Sequence, residues 1–73
     1  MKFDYLTVLK ALEAAASLIP AAPLLVAAFK EIIDTFDDGE DQATLKEALA
    51  DIIPDNAEGH ARLQEKLAAA KLR

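Results

Sequence analysis

Thirteen acidic side chains and a single imidazole, His60, are the titratable groups with which this chain could do chemistry near neutral pH. Eight of the acids crowd into residues 37–58, and the densest run is "DDGEDQ", residues 37–42. A hydrophobic helix ending in Phe36–Asp37, a Gly-containing acidic loop and an exiting Lys46–Glu47 suggest calcium chemistry. A twelve-residue calcium loop places a Gly at its sixth position and a bidentate Glu at its twelfth. With Gly39 sixth, the third position is Phe36 and the twelfth is Leu45, and neither supplies a side-chain oxygen. With Asp37 first, the sixth is Gln42 and the twelfth is Ala48, leaving Glu47 one place early. The spacing therefore predicts a solvated interhelix loop, with no metal and no cofactor.

The other chemical candidates are weaker. Ser17 is the sole serine, and no Gly-rich turn surrounds it. A nucleophile needs a base beside it, and His60 is the only imidazole on offer. Paired carboxylates occur only in a polar loop, where no burial would tune them for acid–base work. No catalytic residue is expected, and the chain reads as a non-enzyme. His60 itself reads as a half-exposed first-turn residue, with a pH-sensitive contact as the alternative. "ARLQEKLAAAKLR", residues 61–73, carries four bases over three turns but no aromatic for base stacking. Together with the net charge of −5, this argues against nucleic acid as a partner.

What must position these groups is helical. Ala, Leu, Glu and Lys dominate, aromatic content is 5%, and only two Gly occur in 73 residues. The expected class is all-α, as one domain over 1–73 with three to four short helices at about 4–19, 23–36, 41–53 and 55–72, in a helical hairpin or small bundle. Tyr5, Val8, Leu9, Leu12, Ala16 and Ile19 form the first apolar stripe, with Asp4 as N-cap and Pro20 as stop. Pro23 suits the first position of the second helix, whose main face is Leu25, Phe29, Ile32, Ile33 and Phe36. Gly39 can supply a positive φ near that helix's end. Leu45, Ala48, Leu49, Ile52 and Ile53 form the third stripe, with Asp41 as N-cap or Thr44 and Glu47 as a capping box. Pro54 ends that helix. Asp55 and Glu58 have capping-box spacing for the fourth, where His60, Leu63, Leu67 and Ala70 make a two-heptad seam.

Charge and length then bear on partners. Residues 1–36 carry a net −1, residues 37–58 a net −7 and residues 59–73 a net +3. The acidic middle and the basic tail should attract, within one chain or between copies. A chain this short buries only about 60% of its unfolded surface. With no Cys and one His, neither disulfides nor a zinc cluster can compensate. Packing against itself or another protein remains, with Leu25, Phe29, Ile32, Ile33, Leu63 and Leu67 as interface candidates and Leu24 to Phe29 at the centre of the packing. Residues 14–29 are uncharged. As one helix they would span about 24 Å, short of the roughly 30 Å hydrocarbon core, and two Pro interrupt them. A membrane association through a kinked insert or hairpin is the alternative, with Lys10 and Lys30 snorkelling. Lys10 and Glu13 interrupt any secretory h-region, so none is expected.

The run "DDGEDQATLKEALADIIPDNAEGHARLQEKLAAAK", residues 37–71, resembles in composition and rhythm the small Ala-rich helical proteins encoded by tailed bacteriophages. The resemblance implies a minor virion or assembly component, or a small membrane-active protein of the holin kind, and assigns no residue a role. The expectation is a non-enzymatic structural or protein–protein interaction module. It would act as an oligomer or as part of a larger assembly, in the cytoplasm or within a virion.

Overall fold

A computed structural model describes residues 4–16, 18 and 22–72. These residues form four helices: α1 (Tyr5–Ala15), α2 (Pro23–Asp34), α3 (Gly39–Ile52) and α4 (Ala57–Lys71). No strand occurs among the described residues. The all-α expectation holds with four helices, although the predicted stop at Ile19 and Pro20 lies outside the described residues.

Local chemistry sets the helix ends. Asp4 caps α1, its Oδ1 accepting from the Thr7 N–H at 2.7 Å. That bond stabilises the carboxylate and holds the Asp4 pKa below its ordinary value of 3.8, helped by the charge of Lys10. Pro23 opens α2 as expected, at a position where its missing N–H leaves nothing unpaired. The other two starts differ from the sequence reading. Helix α3 begins at Gly39, two residues early, because the Asp38 carboxylate accepts from both the Glu40 and Asp41 N–H groups. Asp41 is therefore not the cap but a first-turn acid, favourable at the positive end of the helix dipole. Gly39 has no positive φ. Thr44 makes no capping box; its hydroxyl donates to the Glu40 carbonyl one turn back. For α4 the cap is Asn56, which accepts from the Gly59 N–H at 2.7 Å. Asp55 instead takes the left-handed turn conformation, φ 51°, and closes the corner by donating its N–H to the Ile52 carbonyl.

The core follows the stripes. Val8, Leu9, Leu12 and Ala16 of the first segment, Leu45, Ala48, Leu49 and Ile52 of α3, and Leu63, Leu67 and Ala70 of α4 are buried together. Ile53, expected in the α3 stripe, has 42% exposure because it sits at the C-cap, where the chain turns away. Helix α3 is the hub: α1 and α4 pack on it and on each other, and α2 lies chiefly against α3 alone. From α2 only Phe29 and Ile33 reach the buried core, with Leu25, Val26 and Ile32, and Phe36 of the following link, packed half-buried around it. Leu24 is 86% exposed, so the expected centre of packing has moved from α2 to α3 and α4. The radius of gyration, 11.3 Å, is close to the ~11 Å of a folded chain of this length.

The tightest contact is at Gly59, buried in the first turn of α4. A Cβ there would lie 1.7 Å from the Asp51 carbonyl oxygen and 2.9 Å from its carbon. The backbone of α3 leaves room for a hydrogen and nothing larger.

Two outcomes follow from these contacts. Gly59→Ala should destabilise the fold by about 1–3 kcal/mol, measured by urea unfolding, although Ala is worth about 1 kcal/mol over Gly in an open helix. The Asp4 carboxyl should titrate below 3.8 by NMR. Its folded pKa is depressed, so its contribution is complete above the unfolded value and is lost as pH falls through the folded one. Asp4→Asn should remove that acid-side dependence while keeping a cap.

Candidate functional site

The charged groups singled out in the sequence fall into three places. The first is the α3–α4 contact. Lys66 Nζ of α4 lies 2.6 Å from Asp51 Oδ2 of α3, with the two side chains only 18% and 13% exposed. This pair joins the basic tail to the acidic middle inside one chain. Around it, Arg62 approaches Glu58 one turn away at 3.6 Å, and Gln64 donates to Glu13 of α1 at 2.7 Å. His60 is half-exposed, its Nε2 3.1 Å from Asp55 Oδ1 across the corner. It is a first-turn residue facing a turn carboxylate. Ser17, the one serine, lies outside the described residues.

The second place is the acidic segment. The link from α2 to α3 is short, Thr35–Asp38, so residues that a calcium loop would use are already in helix α3. Asp38, Glu40 and Asp41 border a shallow crevice of about 290 Å³ beside Tyr5 and Ala70. Among the described residues, no group of three His, Asp or Glu is placed to hold a metal ion.

The third place is a groove between α2 and α3, with a volume of about 470 Å³. Helix α2 doubles back along α3, tied at the turn by Gln42 Nε2 to the Ile33 carbonyl at 3.4 Å. Positions 46, 49, 50 and 53 follow i, i+3, i+4, i+7 spacing and so share one edge of the α3 segment. Leu49, Ala50 and Ile53 make an apolar floor, and Lys30, Asp34 and Lys46 form the rim. Lys46 and Asp34 are loosely paired at 3.7 Å and both exposed. Lys30 is exposed and makes no ion pair with another described residue.

The interface candidates divide. Phe29, Ile33, Leu63 and Leu67 are buried in the chain's own core, and Leu25 and Ile32 are half-buried against it. Among the described residues, the large apolar side chains left to solvent are Leu18, Leu24, Ile53 and Leu72. Leu24 shares its side of α2 with Ala27 and Ala28, both exposed. Stripe reading counts apolar positions and cannot tell which stripe a neighbour will cover. Leu24 carried a signal nonetheless, since the first turns of α2 are apolar all round.

Comparison of the chain with protein-family profiles, curated proteins and solved structures finds no match. No helix among the described residues is long and apolar enough to cross a membrane.

The Asp51–Lys66 contact sets one expectation. Lys66→Met keeps the apolar stem but leaves the Asp51 carboxylate poorly solvated and unpaired, at a cost of about 2 kcal/mol or more. Adding Asp51→Asn should recover part of that loss in a double-mutant cycle read by thermal unfolding.

Proposed function

We propose that this chain is a non-enzymatic protein–protein interaction module that acts as a homo-oligomer or as a small component of a larger assembly. The observation that carries this reading is the exposed apolar surface of α2. Leu24, at 86% exposure, stands with Ala27 and Ala28 on a helix that has one main neighbour, while the core beneath is already closed. Removing a leucine of this kind from water is worth about 1.5–3 kcal/mol. A two-fold pairing of α2 helices would collect that gain twice, which suits the isologous contacts common among small homo-oligomers. The likeness of residues 37–71 to Ala-rich tailed-phage proteins points in the same direction, toward an assembly component.

Sedimentation of the purified chain should give a mass of at least twice the 7.9 kDa of one copy at tens of micromolar, about the range where weak contacts populate. Leu24→Ser should shift the equilibrium toward single copies by about tenfold or more. A 7.9 kDa species across the whole range, with nothing retained on the immobilised chain from lysate of its source cells, overturns the proposal.

A further inference from the structure

The α2–α3 groove lies on a different flank of α2 from Leu24. Lys30 and Asp34, which line it, lie about 120° and about 80° around the helix from position 24 at 100° per residue, and further along it toward its C-terminus. It has its own chemistry. The floor is apolar through Leu49, Ala50 and Ile53, with Ile53 partly open to solvent although its neighbour Ile52 is buried. The rim carries two ammonium groups and one carboxylate, a local excess of positive charge in a chain whose net charge is −5. The other crevice contrasts with it: its described walls carry the carboxylates of Asp38, Glu40 and Asp41. Lys30 is held by no described carboxylate, and Lys46 only loosely by Asp34, so both cations can turn to a partner at little cost.

We propose that this groove docks an acidic amphipathic helix of a partner protein. The proposal rests on the interaction-module reading but concerns a different surface of α2. The floor runs for about one turn of α3, and Lys46 extends that edge to about two, offering ridge-and-groove complementarity to a helix laid beside it. The partner's apolar residues at i, i+3 and i+4 contact Leu49, Ala50 and Ile53. Its Asp or Glu residues, on the flank of that stripe, meet Lys30 and Lys46. The acidic residues clustered at the start of α3 repel the same helix, so the charge of the rim favours this groove over that face.

The test uses the intact chain and two synthetic helical peptides of about three turns. Both carry the same leucine stripe; one is flanked by Glu, the other by Lys. Anisotropy titrations should show the Glu peptide binding and weakening as salt is raised. Backbone NMR shifts should centre on Lys30, Lys46, Ala50 and Ile53. The double variant Lys30→Glu/Lys46→Glu changes exposed side chains only, and circular dichroism verifies its fold. It should lose about tenfold in affinity for the Glu peptide and gain for the Lys peptide. Equal binding of both peptides by the unaltered chain, shifts centred on Leu24 and Ala28, or undiminished Glu-peptide binding by the double variant overturns the proposal. So does uptake of anionic lipid vesicles that Lys30→Glu/Lys46→Glu abolishes while the Glu peptide does not bind, since the cations then serve a membrane surface. Self-association that depends on Leu24 without any peptide binding removes the groove proposal and leaves the interaction-module reading standing. A single-copy species that binds neither peptide nor any other protein removes both.

Discussion

Helices α3 and α4 meet with their backbones in contact, and the rest of the structure is arranged around that contact. At Gly59 the first turn of α4 comes so near the Asp51 carbonyl that a methyl group would not fit. A glycine inside a helix sacrifices about 1 kcal/mol of intrinsic preference, and here the sacrifice lets two helices approach side by side. The Asn56 cap and the left-handed turn at Asp55 aim α4 into this position. Leu63, Leu67 and Ala70 are then delivered against Leu45, Ala48, Leu49 and Ile52 to form the main layer of the core. Helix α1 closes over both.

The same close approach explains how the uneven charge is accommodated. Asp51, whose carbonyl meets Gly59, also pairs with Lys66 about two turns further along α4, and the pair is largely shielded and short. Most other acids remain at the surface, several of them at the start of α3, where the helix dipole favours them. Among the described residues, a chain of −5 is thus held together by apolar packing and the shielded Asp51–Lys66 pair.

Because α3 and α4 satisfy each other and α1 covers them, α2 is left outermost. It contributes Phe29 and Ile33 to the core and keeps Leu24, Ala27 and Ala28 in solvent. Its incomplete contact along α3 opens the lysine-rimmed groove. The exposed apolar face and the groove both arise from the position of this one helix. Within the apolar run of the sequence, α2 thus buries Phe29 while Leu24, Ala27 and Ala28 stay in solvent.

Composition and periodicity alone determined the all-α class, three to four helices with starts close to those found, the stripes of α1, α3 and α4, the Asp4 cap and the placement of Pro23 at a helix start. These are local properties: a 3.6-residue period, a carboxylate three residues from an amide, and a ring without an N–H can all be read along the chain. The caps at Asp38 and Asn56 were harder, because several Asp, Asn and Thr residues compete within each loop and only the turn geometry selects one. Gly59 carried a faint signal, as a glycine inside a capped helix asks for a close neighbour, but the sequence does not name that neighbour. Which stripe would be covered, and hence the exposure of Leu24 and the groove beside Leu49, Ala50 and Ile53, was decided by tertiary structure. Burial depends on which helices meet across the sequence, and the meeting of α3 with α4 at a bare glycine left α2 with a single main neighbour.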